Sequence, residues 1–328
     1  MAARIICGDC IEMMREIEAG SVNCCVTSPP YWGLRDYEVG GQIGLEQTLK
    51  EYTEKMVDVF QEVWRVLRDD GTVWLNLGDR YVSAPSGNLR PDHSGSGYTG
   101  TRGLQSWTAG AKTSETALDF GGLKPKNMIG IPWRVAFALQ EAGWILRSEI
   151  IWHKKNPVPE SVRDRPTKSH EQIFLLSKSA RYWYDADAVR QPVSGTAHSR
   201  GNGVNPKSRM NAKGSRQNES FSAAVSGLVT SRNLRDVWAV PTNSYKGSHF
   251  ATFPPDLIRP CIRAGCPQNG VVLDPFAGAG TTGLVALEEG REFIGIELNP
   301  AYVQLIKDRL EPLTTRRTLS LYLSEVEV

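Results

Sequence analysis

The 328-residue chain carries almost no net charge: 38 Lys and Arg against 36 Asp and Glu leave +2. That balance alone implies no polyanionic partner, so a nucleic-acid argument must rest on local clusters. No run approaches the ~18 uninterrupted apolar residues of a membrane-crossing helix, and no membrane association is expected. Six cysteines, at 7, 10, 24, 25, 261 and 266, are too few for a disulfide framework in this length. Cys7 and Cys10 have C-x-x-C spacing without a second pair at zinc spacing. No metal is expected, and reduced thiols in a cytoplasmic protein are the better reading. Met1 to Asp9 read as a strand entering a turn, not as a signal peptide. No internal repeat is visible. What the chain does contain is 40% apolar and 23% charged residues, enough for a sizeable core in one large domain or two ordinary ones.

Strand and helix patterns alternate. Ala3–Cys7 and Val22–Thr27 read as short strands. Leu49–Leu67 reads as a helix, because Tyr52, Met56, Val59, Phe60, Val63, Trp64 and Leu67 recur at three and four. A strand over Thr72–Leu77 follows Asp70-Gly71. A helix near Ile131–Ala142 and strands near Trp144–His153 and Glu171–Ser177 come next, the last two expected to pair antiparallel at a sheet edge. Val271–Asp274 and Phe293–Glu297 read as strands, with a helix over Thr281–Glu289 between them. Asn299 and Pro300 open a final helix to about Leu310. The expected class is α/β: a mostly parallel sheet covered on both faces, with one antiparallel edge strand. Residues 80–127 and 188–218 lose periodicity. The second stretch holds Arg190, Arg200, Lys207, Arg209, Lys213 and Arg216 and no acid, which suits either a solvated loop or a segment facing phosphates.

Two motifs carry chemistry. Asp274-Pro275-Phe276-Ala277-Gly278-Ala279-Gly280-Thr281-Thr282-Gly283 lies at a strand-to-helix junction, where a ligand can approach backbone N–H groups. Glu297, ending the next strand, can accept hydrogen bonds from ribose hydroxyls. The same glycines fit the dinucleotide fingerprint, so this segment alone leaves an NAD-dependent oxidoreductase open. The second motif, Thr27-Ser28-Pro29-Pro30-Tyr31-Trp32, follows a strand. Its prolines stiffen the loop and supply carbonyls without N–H groups. Acceptors beside an aromatic face suit a planar ring bearing an amino group.

Together these motifs resemble those of the S-adenosylmethionine-dependent DNA amino-methyltransferases, whose catalytic motif is Asp/Asn/Ser-Pro-Pro-aromatic and whose cofactor motif is built on Phe-x-Gly-x-Gly. Here Ser28–Tyr31 precedes Phe276–Gly280 by about 245 residues, an order that resembles the circularly permuted β group. Trp152–Pro159 through His170-Glu171, and His249–Pro255, are similar to that group as well. The overall likeness is to phage- or prophage-type solitary enzymes, and the fold implied is a permuted Rossmann-like methyltransferase. Its segments would be a catalytic half (1–79), an irregular insertion (80–127), continuation of the sheet (128–180), target recognition (181–248), a cofactor half (249–312) and a tail (313–328).

The resemblance implies S-adenosylmethionine as cofactor and double-stranded DNA as partner. It gives the catalytic role to Ser28, Pro29, Pro30 and Tyr31. Glu297 would hold the ribose, and Asn299 is a further cofactor-binding candidate. Asp274, Pro275, Phe276, Gly278, Gly280, Thr281 and Thr282 would surround the methionine part, closed by Phe253 and Pro254. Asp9, with Cys10, matches the position that reaches the adenine amino group, although Asp9 also suits an N-cap. Trp32 would brace Tyr31 or contact DNA. Lys154, Lys155, Arg163, Arg165 and Lys168 form either a phosphate-gripping stretch or a solvated face. Ser28 is associated with N4-cytosine modification but also occurs in adenine enzymes, so the base stays open. Methylation of RNA or of a protein amide is the alternative within methyl transfer. β-group relatives often form homodimers, and nothing in the sequence marks an interface.

Overall fold

The structure is a computed structural model that describes residues 2–82, 118–192, 231–242 and 253–326, with side chains of the last helix given through Thr314. Arg200, Lys207, Arg209, Lys213 and Arg216 lie outside the described residues, as do 83–117 of the expected insertion. The chain divides into two compact units, residues 1–184 with 236–328, and residues 185–235. In the second unit, Gln191–Pro192 pairs antiparallel with Ser231–Arg232.

The first unit is built on an eight-stranded sheet. Its strands are β1 (Ala3–Cys7), β2 (Val22–Thr27), β3 (Leu67–Leu77), β4 (Ile145–Lys154), β5 (His170–Ser177), β6 (Val237–Val240), β7 (Val271–Asp274) and β8 (Glu292–Glu297). Their order across the sheet is β1-β8-β7-β2-β3-β5-β4-β6. Only β5 runs against its neighbours, β3 and β4. The expected antiparallel strand is therefore present, but it lies inside the sheet and not at its edge. The edge beyond β4 is covered by β6, which pairs with β4 in parallel and buries Trp238 while leaving Val237 exposed. Four residues flanked by irregular sequence give too short a period-2 signal to read as a strand.

Helices cover both faces. On one, α1 (Cys10–Met14), α2 (Leu49–Val66) and α3 (Ile131–Glu141) share a core with Val73, Leu75 and Leu77 of β3. The α2 stripe Tyr52, Met56, Val59, Phe60 and Val63 is fully buried. Each such side chain contributes about 1.5–3 kcal/mol. A capping box holds the start of α2: Thr48 Oγ1 accepts from Glu51 N, and Glu51 accepts from Thr48 N. Leu67 is not the last residue of α2 but the first of β3, which starts with no intervening turn. On the other face, Gly265 of α4 (Pro255–Gly265) lies against Cys24, Thr72 and Trp74, so a side chain there would separate helix from sheet. Completing this layer are α5 (Thr281–Glu288) and α6 (Pro300–Val326). The last helix passes Leu310 and continues through Pro312, longer than its sequence pattern indicates.

The strands carrying the two motifs are neighbours. Cys24 and Cys25 of β2 pair with Val272 and Leu273 of β7, parallel and in register.

Candidate active site

Because β1, β8, β7 and β2 run parallel, their carboxyl ends share one edge of the sheet. The crevice outside such ends is where open α/β sheets bind ligands. A cavity lies there. Gly8, Asp9 and Cys10 line it from the end of β1, Ser28 and Pro30 from β2, Asp274 to Ala279 and Thr281 from β7, and Glu297 to Asn299 from β8. Both motifs therefore open on a single cleft.

The β2 and β7 ends are locked together by polar groups. Thr27 Oγ1 donates to Asp274 Oδ1 at 2.6 Å, and Thr282 Oγ1 donates to Oδ2 at 2.6 Å. Phe276 N also donates to Oδ1, at 3.0 Å. Burial pushes the Asp274 carboxyl up to about 6, against the pull of these three donors. Asp274 thus shapes the turn as well as lining the cavity.

At the glycine-rich turn, Gly280 caps α5 with φ 72°, and a Cβ there would meet Ile306 at 2.9 Å. Gly278 N donates to Glu297 Oε2 at 2.8 Å, while Asn299 N donates to Oε1 at 2.9 Å. Two backbone turns so fix this carboxylate, whose remaining lone pairs can accept hydroxyl protons. Burial, the largest cause, raises the Glu297 carboxyl above its ordinary range. Asp9 Oδ1 caps α1 by accepting from Ile11 N and Glu12 N, and the residue also lines the cavity.

Of the expected cofactor residues, Asp9, Cys10, Phe253, Asp274, Pro275, Phe276, Gly278, Thr281, Glu297 and Asn299 line the cavity. Pro254, Gly280 and Thr282 do not. Pro254 is the N-cap of α4, Gly280 that of α5, and Thr282 is buried on Asp274. Sequence reasoning missed Tyr37, Val39, Gln42 and Ile43, which close the cavity from the loop after the catalytic motif. No periodicity or motif marks that loop. It also missed Tyr302, which follows the Asn299-Pro300 helix start and lines the same cavity.

The Ser28–Trp32 loop is braced from below. Pro30 O accepts from Tyr52 Oη at 3.0 Å, and Gly33 N donates to Gly44 O at 2.7 Å. The Tyr31 ring lies against the backbone of Gly78, where any Cβ would collide with it. Pro29 is buried beside the cavity-lining Ser28 and Pro30. Trp32 does not face DNA. It is fully buried, its indole N–H donates to Glu46 O at 2.8 Å, and its ring meets Phe120 edge-on. The apolar surroundings of an indole whose one polar atom is satisfied make it a core residue.

The basic stretch is also partly structural. Lys154 pairs with Glu171 at 2.5 Å. Arg165 lies 3.8 Å from the Tyr81 ring centroid and pairs with Glu160 at 2.6 Å. Lys168 Nζ is buried with no hydrogen-bond partner, and its desolvation pushes the amine down. Lys155 and Arg163 are exposed. Lys154 and Arg165 are thus ion-paired, whereas Lys168 is not.

A cleft joining these motifs on a permuted α/β sheet defines a class, and the comparisons agree. The family of DNA methylases of N6/N4 type matches residues 22–308, and the chain belongs to that family. Type II methyltransferase M.XycI of Xanthomonas campestris pv. cyanopsidis is 46% identical over 309 residues, covering 93% of this chain and 86% of its own. Type II methyltransferase M.Cfr9I of Citrobacter freundii is 45% identical over 304 residues, with the coverages again 93% and 86%. Among solved structures, the cytosine-N4-specific PvuII DNA methyltransferase superposes with a TM-score of 0.60 at 19% identity, covering 96% of this chain and 91% of its own. A DNA modification methylase of Thermus thermophilus, TTHA0409, complexed with S-adenosyl-L-methionine, gives 0.54 at 22% identity, with coverages of 95% and 96%. The expectations of the methyltransferase fold and of a DNA methylase of N6/N4 type are met, and the NAD reading of the glycine-rich turn is set aside.

Proposed function

We propose that this chain transfers a methyl group from S-adenosylmethionine to N4 of a cytosine flipped out of double-stranded DNA. The observation that carries the reading is that Ser28 and Glu297 line one cavity from opposite sequence ends. The residues fit the cofactor: an immobilised carboxylate for ribose hydroxyls, a glycine turn, and apolar walls from Ile43, Phe253 and Phe276. When bound, the cofactor supplies an electrophilic sulfonium methyl. Glu297 would accept from the ribose, and Asp9 from the adenine amino group. Ser28 Oγ and the Pro29 carbonyl accept the two N–H bonds of the target amino group. Those bonds would localise a lone pair otherwise delocalised into the base, making the amino nitrogen a better nucleophile. Positioning and electrostatics do the catalytic work. No covalent enzyme intermediate is required.

Ser28 favours cytosine over adenine, since the resembling enzymes with Ser at this position are associated with N4 modification. The PvuII enzyme's cytosine-N4 description points the same way. C5 chemistry would need a cysteine nucleophile after proline. Cys261 follows Pro260, but it is fully buried within α4, where desolvation pushes the thiol well above its ordinary range. The Type II names of the relatives favour a modification enzyme of a restriction system over a solitary phage enzyme. Extruding the base costs a few kcal/mol. Lys155 and Arg163, both exposed, are assigned to DNA phosphates. Incubation with labelled S-adenosylmethionine and duplex DNA, followed by nucleoside mass spectrometry, tests the reading. N4-methylcytosine is expected; N6-methyladenine overturns the choice of base, and absence of any methylated nucleoside overturns the activity.

A further inference from the structure

Glu171, in β5, lies beneath the catalytic loop, and its carboxylate is 14% exposed. Its Oε2 accepts from Tyr31 Oη at 2.9 Å and from Asn76 Nδ2 at 3.3 Å, and its Oε1 takes Lys154 Nζ at 2.5 Å. Lys154 is itself only 22% exposed and sits 4.7 Å from the Trp152 ring centroid. A carboxylate held against an ammonium can accept hydrogen bonds but not donate them.

That restriction propagates. The Tyr31 hydroxyl has one proton and two acceptors in reach, Glu171 Oε2 at 2.9 Å and Asn76 Oδ1 at 3.4 Å. The shorter, charge-assisted bond takes it. The phenol oxygen is then left to accept, and Ser28 Oγ, 3.4 Å away, is the hydroxyl it can accept from. This outer link is long for a hydroxyl pair, so it sets direction more than it adds energy. With its proton turned inward to Tyr31, Ser28 offers lone pairs to the cavity it lines. In the opposite order a hydroxyl proton would face the amino protons of the incoming base.

We propose that Glu171, held by Lys154, is a positioning residue that orders the hydroxyl protons of Tyr31 and Ser28, so that Ser28 meets the target amino group as an acceptor. This rests on the acceptor role given to Ser28 above. It differs from a merely structural role in one respect: the effect of Glu171 must pass through the Ser28 hydroxyl.

A double-mutant cycle reads that dependence, using single-turnover transfer from tritiated S-adenosylmethionine to duplex DNA. Glu171→Gln introduces an amide that can donate to Tyr31 and permit the reversed order. Tyr31→Phe removes the relay while leaving the Glu171–Lys154 pair intact, so it reports even where Glu171→Gln fails to fold. Each is expected to slow transfer on the order of tenfold, the size of coupling between contacting groups. Affinity for S-adenosylmethionine by calorimetry stays within a factor of about two in both, since neither residue lines the cavity. In a Ser28→Ala background, already slow, neither substitution slows transfer further. Equal slowing in both backgrounds, or wild-type rates for both single variants, overturns the ordering role alone. A wild-type rate for Ser28→Ala overturns the acceptor reading of Ser28 and this inference with it.

Discussion

Thr27 and Asp274 stand 247 positions apart in the chain and are joined by a 2.6 Å hydrogen bond from the threonine hydroxyl to the buried carboxylate. That bond ties the last residue of β2 to the last residue of β7. Thr282, opening α5, holds the other carboxylate oxygen. The two motifs are therefore aligned by a polar clasp as well as by sheet register.

Removing one donor from a buried carboxylate leaves part of its desolvation uncompensated. Thr27→Val keeps the shape and removes the hydroxyl. It is expected to cost about 1–3 kcal/mol in urea unfolding. Thr27→Ser should fall near wild type, and equal losses for both would assign the effect to packing.

Asp274 gives a pH signature. Its carboxyl sits at about 6 in the fold against 3.8 ordinarily, so the folded state binds the proton more tightly than the unfolded chain. The group's stabilising contribution is complete below about pH 4 and disappears as pH rises through about 6. Asp274→Asn has no such titration. The stability of wild type minus that of Asp274→Asn should fall by roughly 3 kcal/mol across this window. Denaturation series at both ends measure it, and a flat difference would mean that the carboxyl is not raised.

Glu297 is fixed by Gly278 N and Asn299 N, so its replacement removes ribose acceptors and loosens two turns together. Glu297→Ala should weaken S-adenosylmethionine binding on the order of 100-fold, about 2.7 kcal/mol. Titration calorimetry decides, and unchanged affinity would refute the ribose assignment.

Gly78 has no special backbone angle; its small size is what matters, because the Tyr31 ring occupies the space a Cβ would fill. Gly78→Ala should displace the ring and slow methyl transfer on the order of tenfold while leaving cofactor affinity near wild type. A drop in affinity equal to the drop in rate would indicate general damage to the sheet edge.

Both halves of the site were legible because each is a contiguous motif at a strand end. Ser28–Tyr31 and Asp274–Glu297 needed only local spacing, and the α2 stripe needed only period. Residues whose roles depend on tertiary neighbours were less legible. Trp32 looks like an exposed aromatic in the chain, yet Glu46 O and Phe120 enclose it. Lys154 and Lys168 look like members of a basic run until β5 brings Glu171 beneath them. The interior position of β5 was hidden because it comes from the long-range pairing of β5 with β3 as well as with β4, and β6, four residues long, arrives from about 80 positions away to cover β4. The loop from Tyr37 to Ile43 carries no period at all, and only its placement over the cavity marks it.

The central claim is that the proline elbow after β2 and the glycine turn after β7 serve a single bound donor. A crystal structure of the full chain with S-adenosylmethionine tests it directly. The account predicts the ribose hydroxyls on Glu297 and the sulfonium methyl facing Ser28 across the space of one base. A cofactor bound outside this cleft, or one whose methyl group points away from Ser28, would contradict it.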